Sequence, residues 1–434
     1  MAGEWKSVPL GELCDEERGI TYRIVKVGEI IPGGPVLRGG DIRAGRIMCD
    51  DSKRVSEDVS NQFRRTILRG GEIVLNLIAD PGHSAIVPPE LAGHNVSRDV
   101  AVIPLNGNPD RRFMDFFLKS KIAVDWLTAR LQGSVTQKIN LGTFRELPVP
   151  QPPLSEQIAI AAVLGALDDK IGLNRRMNAT LEAMARALSQ SWFEDFDPVR
   201  AKLDGQEPVG VDPVIAALFP DSFQDSEVGH IPKGWTVRPL NSHACYLSCG
   251  IGPSYLEQGG VCVLNQKCVR DHRVDCSKSR RHDSAKKPIN GRVLQIFDVL
   301  VNSTVMGTLG RVAHVFHLPE ETIVDSHVTI VRAAADTDAL FLGINLTRRE
   351  AEIEELVEGS TGQTELSRAR LGELKIIAPP HDLQKAFGVT VRPLLVRMSE
   401  NESQSLTLAT LRGTLLPKLL SGELSVAEVN KSSR

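Results

Sequence analysis

The sequence predicts an α+β chain written twice: two similar α/β domains separated by two long antiparallel helices that form a coiled coil, the halves related by a pseudo-twofold axis. Three observations predict it. Short motifs return in the same order at an offset near 227 residues, each copy opens with β-rich runs, and each closes on a heptad pattern. At 434 residues the chain is too long for one ordinary core, and two or three domains of ~100–200 residues suit it.

The repeat begins where Trp5-Lys6-Ser7-Val8-Pro9-Leu10 returns as Trp235-Thr236-Val237-Arg238-Pro239-Leu240. Gly71-Glu72-Ile73-Val74-Leu75-Asn76 matches Phe297-Asp298-Val299-Leu300-Val301-Asn302, and Ser97 matches Ser326. Gly133-Ser134 with Gln137 matches Gly359-Ser360 with Gln363, and Pro152-Pro153 with Gln157 matches Pro379-Pro380 with Gln384. The runs Ile73–Ile78, Val100–Leu105, Val299–Val301 and Val328–Val331 read as strands punctuated by Gly, Pro, Asn and Asp. Phe113–Leu131 and Leu340–Leu356 read as helical.

Each copy then enters a long helix. Ser155 and Asp382 follow the Pro-Pro pairs as N-cap types. Steps of four and three link Ile160, Leu164, Leu167, Ile171, Asn174, Asn178, Leu181, Ala185, Leu188 and Trp192. In the second copy they link Phe387, Val391, Leu394, Met398, Asn401, Ser405, Leu408, Arg412, Leu415 and Leu419. Asn174 and Asn401 hold the same seam position, where a polar residue lowers stability but fixes register. The alternative, each helix packing on its own domain as ordinary core, does not account for that match. Pro393 is expected to kink the second helix. The boundaries are 1–152 and 231–379 for the domains, 153–197 and 380–420 for the helices, 198–230 for an ordered connector and 421–434 for a tail.

Composition narrows the function. With 41% hydrophobic and 24% charged residues the chain is globular, and no apolar run reaches the ~18–20 residues of a membrane span. Seven thinly spread cysteines and a start without a basic-then-apolar pattern point to free thiols in the cytoplasm. There is no G-x-x-x-x-G-K-[ST], G-x-S-x-G or H-E-x-x-H motif. Cys245, Cys249, Cys262, Cys268 and Cys276, with His272 and His282, lack paired zinc-ligand spacing and read as buried thiols. Glu373-Leu374-Lys375 resembles the tail of a metal-dependent nuclease motif, but its repeat counterpart Glu146-Leu147-Pro148 lacks the lysine. No catalytic residue and no metal site are assigned.

Charge is informative by region. Lys267–Arg292 carries nine Lys/Arg against three Asp, and Arg38–Arg69 eight against five acids, in a chain of net charge −3. One basic segment early in each half suits phosphate binding, which needs a local basic face and not a high overall pI. A solvated charged loop is the competing reading of each segment. The candidate DNA-binding residues in and beside these segments are Arg64, Arg65, Asn76, Arg98, Lys138, Lys267, Arg270, Arg273, Asn302 and His327. Ser134, Gln137, Lys138, Ser360 and Gln363 have an equal alternative, as turns orienting each domain on its helix. The helix positions assigned to partner and spacer roles are Leu164, Leu167, Asn174, Leu181, Leu188, Leu394, Asn401, Leu408 and Leu415.

Further motifs carry a family likeness. They are Ser191-Trp192-Phe193-Glu194-Asp195-Phe196-Asp197-Pro198, Leu218-Phe219-Pro220-Asp221-Ser222-Phe223, Gly229-His230-Ile231-Pro232-Lys233-Gly234-Trp235 and Leu416-Pro417-Lys418-Leu419-Leu420-Ser421-Gly422-Glu423. With Pro152–Gln157 they resemble the conserved regions of specificity (S) subunits of type I restriction-modification systems, over essentially the whole chain. The resemblance implies a non-catalytic subunit with two target-recognition domains, each reading half of a split, asymmetric double-stranded DNA sequence. It implies that the helices set the half-site distance and dock two methyltransferase (M) subunits, with restriction (R) subunits joining through the complex. S-adenosylmethionine, ATP and Mg2+ would sit on those partners and no cofactor on this chain. A modification-only assembly is the alternative within DNA biology; a stand-alone nuclease or a scaffold without DNA affinity lies outside it.

Overall fold

The structure, a computed structural model, describes residues 5–21, 33–43, 45–49, 53–78, 83–131, 139–304, 307–356 and 365–427. The chain forms two compact units, Met1–Leu173 with Gln404–Arg434, and Asn174–Ser403.

In the first unit the strand Ile73–Asn76 lies between Ser84–Ile86 and Val100–Ile103, antiparallel to both. Side chains of a strand alternate between faces. Ile73 and Leu75 accordingly join Phe113 and Phe117 of the helix Arg111–Lys119, while Val74 joins Leu37, Val96 and Val100 on the other side. A second sheet places Gly33–Leu37 between Arg54–Ser56 and Asn95–Val96, the latter pairing parallel.

The second unit repeats this logic with longer sheets. Val299–Asn302 lies between Val312–His314 and Val328–Ala333, and Val261–Leu264 pairs parallel with Thr322–Val324. Val299 and Val301 pack with Phe341, and Leu300 packs on the other side with Ala313, Val328 and Ile330. The central strands also correct one pairing read from sequence. Asn76 faces Val100 and Asn302 faces Val328, so Ser97 corresponds to Asp325 and not to Ser326. A two-residue insertion between the matched strands shifts the offset from 226 to 228.

The segments expected as single helices are each divided. Ser120 ends one helix and accepts the Ala123 N–H at the start of Lys121–Thr128; Arg349 separates Ala339–Arg348 from Glu350–Glu355.

One device anchors each unit to its helix. The opening strands Ser7–Pro9 and Thr236–Pro239 pair with Pro148–Pro150 and Lys375–Ala378, just before the long helices. Gln157 then accepts the N–H of Asp110 and donates to the Pro152 carbonyl, both at 2.9 Å. Gln384 does the same with Asp338 (3.0 Å) and Pro379 (2.8 Å). Asp110 and Asp338 cap the helices that pack on the two sheets.

The long helices are Leu154–Phe193 (40 residues) and His381–Ser421 (41 residues), each about 60 Å at 1.5 Å per residue. Every seam position named above is buried or half-buried. Within the first unit Ile160 and Leu164 share a core with Leu419 and Leu420, and Asp168 pairs with Arg412. Within the second, Asn174 donates to the Asn401 carbonyl at 3.2 Å, Asn178 to that of Met398 at 3.1 Å, and Trp192 meets Phe387. In both units numbers rise along one helix as they fall along the other, so the contacts run antiparallel. Pro393 does not break the second helix; it is exposed.

The connector carries short helices and a hairpin. After Phe196 in a left-handed conformation come the helices Asp197–Leu203 and Pro213–Ala216 and the hairpin of Phe223–Ser226 with Gly229–Pro232. Lys202 Nζ donates to the carbonyls of Ala216 and Phe219, and Phe219 stacks edge-on against Trp192.

Candidate nucleic-acid interface

Each unit carries a short basic hairpin entered through a single helical turn. In the second unit the turn Gln266–Cys268 leads into Val269–Arg270, which pairs with Arg273–Val274. Asp271 and His272 link them with φ of 50° and 59°, as a tight two-residue hairpin turn demands. In the first unit the turn Gly39–Asp41 leads into Ile42–Arg43, paired with Arg46–Ile47. At offset 227, Arg43 corresponds to Arg270 and Arg46 to Arg273. Sequence reasoning did not single out Arg43 and Arg46, although the offset already contained the signal.

Lys267 and Arg270 are exposed beside this hairpin, as is Lys278 just beyond it. Arg280 is exposed and lies 3.3 Å over the ring of partly exposed Tyr255, a cation–aromatic pair suited to a phosphate or a base. Other cations of the segment are committed within the protein. Arg281 pairs with Glu320, Lys286 with Asp283, and Lys287 and Arg292 donate to the carbonyls of Gly252 and Gly250.

Arg273 is placed differently. Its guanidinium meets Glu182 at 3.3 Å and also pairs with Glu402, so it faces the long helices, unlike exposed Lys267 and Arg270. Beside it His272 approaches Arg186 (2.6 Å), Glu182 (3.7 Å) and Glu350 (3.6 Å). His272, Arg186 and Arg273 together hold the Glu182 carboxyl down to about 2 against the opposing effect of burial.

Asn302 is placed differently as well. It is fully buried, and its amide donates to the carbonyls of Gln266 and Thr308, both at 3.0 Å. It braces the base of the hairpin and is closed to a base edge. Asn76, half-buried, accepts from the Ile78 N–H and lies against Gly39, under the corresponding turn.

The remaining candidates stay at the surface. Arg64 and Arg65 are exposed on the turn Arg64–Thr66, whose backbone is held by buried Arg18. Arg18 donates to the Arg65 carbonyl at 3.0 Å and pairs with Glu72. Nothing in the local sequence marks Arg18 for this role, because its partners lie about fifty residues away. Arg98 is exposed in the turn after Asn95–Val96, and His327 in the equivalent turn, its Nδ1 2.6 Å from the Thr304 hydroxyl. Ser134, Gln137, Lys138, Ser360 and Gln363 lie outside the described residues.

Among the described residues no group of three or more His, Cys, Asp or Glu is placed to hold a metal ion. Burial pushes the Cys268 thiol up to about 12, which suits an inert core position. Lys375 is ion-paired with Glu227 at 2.6 Å. No helix among the described residues is long and apolar enough to cross a membrane.

Comparison with known proteins places these features. Residues 2–183 match the family described as the type I restriction modification DNA specificity domain. The chain is 24% identical over 383 residues to the type I restriction enzyme MjaIX specificity subunit of Methanocaldococcus jannaschii, covering 87% of this chain and 83% of that one. It is 23% identical over 472 residues to the HindI specificity subunit of Haemophilus influenzae, covering 97% of this chain and 100% of the relative. Its fold is similar to the crystal structure of the type I restriction-modification system S subunit from M. genitalium, with TM-score 0.57, 16% identity and 96% of both chains covered.

Proposed function

We propose that the chain is a specificity subunit of a type I restriction-modification system, as its similarity to that family's domain and to two such subunits supports, a non-catalytic subunit that reads a split, asymmetric double-stranded target, one half-site per unit. The observation that carries this is the repeat of one topology with an exposed basic hairpin in each copy, Arg43 and Arg46 on one and Arg270 on the other, with Lys267 on its entry turn. Cations contacting phosphates would position each unit, and side chains in the neighbouring turns would read base edges. The hairpins are topologically equivalent but differ in sequence, which suits an asymmetric target.

The long helices act as the spacer between half-sites and as the docking element for two methyltransferase subunits, through which restriction subunits join. Exposed apolar residues on the helices, such as Ile158, Met184, Val389 and Leu406, give such partners something to cover. S-adenosylmethionine, ATP and Mg2+ then belong to the partners, and this chain supplies recognition.

Single-molecule methylome sequencing of source cells with and without the gene tests the reading. Loss of one split adenine-methylation motif on deletion is the expected result. A methylome that does not change on deletion, in cells that express the methyltransferase partner, refutes it.

A further inference from the structure

The basic hairpin of the second unit is tied to both long helices by one side chain. Arg273 offers one guanidinium nitrogen to Glu182, on the helix Leu154–Phe193, and another to Glu402, on the helix His381–Ser421. Its side chain is 32% exposed, so the ion pairs are partly shielded from water. The seat of this contact is the buried asparagine cluster. Glu402 follows Asn401 in sequence, Glu182 lies one turn beyond Asn178, and Asn401 donates to Asn178 Oδ1 at 2.8 Å. His272, in the hairpin turn, adds contacts to Arg186 and Glu350.

Among the described residues the first unit shows no such arrangement. Arg46, the counterpart of Arg273, is exposed. The positions equivalent to Glu182 and Glu402 are Ala409 and Arg175, which offer no carboxylate. The two carboxylates stand in one copy only, so the device is no general requirement of the fold.

We infer that Arg273 is a positioning residue of the second recognition unit: bridging Glu182 and Glu402, it fixes the angle between the basic hairpin and the helix pair at the asparagine lock. Arg270 rides on that hairpin and Lys267 on the turn that enters it, so the angle determines where along the duplex they meet phosphate. A bidentate guanidinium suits the task, because its planar fork holds two carboxylates in a set direction, as a lysine does not. The inference rests on the split-target reading above.

The test uses the complete complex carrying Arg273→Gln, Arg273→Lys, or Glu182→Gln with Glu402→Gln, compared by methylome sequencing and by DNA binding as a function of salt. Each variant is expected to keep the wild-type half-site bases and salt slope. Discrimination between the native spacer and one a base pair longer or shorter falls by about fivefold, the equivalent of ~1 kcal/mol of ion pairing. The glutamate variant matters most, because a carboxylate is repelled by phosphate and neither is a candidate DNA contact, and a merely structural loss would lower methylation at all spacings alike. Unchanged spacer discrimination in all three variants overturns the inference while the split-target reading stands. So does a changed base in the second half-site, or a shallower salt slope, with Arg273→Gln, since either makes Arg273 a direct DNA contact. A wild-type complex without a two-part motif overturns both.

Discussion

Replacing Asn401 by Leu tests the helix seam most directly. Asn401 is 2% exposed and supplies the donor to Asn178 Oδ1 at 2.8 Å, while Asn178, 4% exposed, is occupied on its other side by the Met398 carbonyl. The substitution leaves the Asn178 oxygen buried without its donor. An orphaned buried acceptor costs ~1–3 kcal/mol, whereas removing both partners together is close to neutral. Asn401→Leu alone should therefore destabilise the second unit by about 2 kcal/mol, although leucine is the more apolar residue. Adding Asn178→Leu should recover most of that loss. Hydrogen exchange of peptides covering 174–193 and 381–403, in the assembled complex, reads it out. Protection should fall by about 30-fold in the single variant and return to within a few-fold of wild type in the double. A single variant as protected as wild type, or a double no better protected than the single, refutes the hydrogen-bonded lock.

Two further predictions concern charge. Alanine at Lys267, Arg270 and Lys278 should weaken DNA binding by the complex and flatten its salt dependence by up to about 3, at ~0.9 for each phosphate no longer neutralised; an unchanged slope removes this face from the interface. Burial holds His314 neutral, its imidazole pushed down to about 4, and burial followed by the Arg238 charge does the same to His243. With folded-state values below the unfolded ~6.5, the unfolded chain binds more protons between about pH 6.5 and 4, so stability falls as pH drops through that window. His314 alone accounts for up to ~3 kcal/mol of that loss. Denaturant titrations should show it, with a shallower profile for His314→Gln; a flat profile between pH 6.5 and 4.5 contradicts the assignment.

The features written as local pattern were legible in the sequence. The tandem repeat and the heptad seam with its matched asparagines follow from periodicity and recurrence, which depend on near neighbours or a constant offset. Even there, the two-residue insertion displaced one match, because only strand pairing aligns Ser97 with Asp325. The Gln157 and Gln384 anchors were visible as repeated residues, but their purpose was not, since Asp110 and Asp338 lie 47 and 46 residues away.

The sequence by itself determined the mixed α+β class, the repeated motifs, the two long helices and the basic character of one segment in each copy. Only the tertiary structure decided what each charge does. Arg270 and Arg273 face each other across one hairpin and look equivalent in the chain. One is exposed and the other is held by carboxylates 91 and 129 residues distant. A charge count carries no information about such partners, because electrostatic attraction acts through space, and the fold alone brings Glu182 and Glu402 within reach.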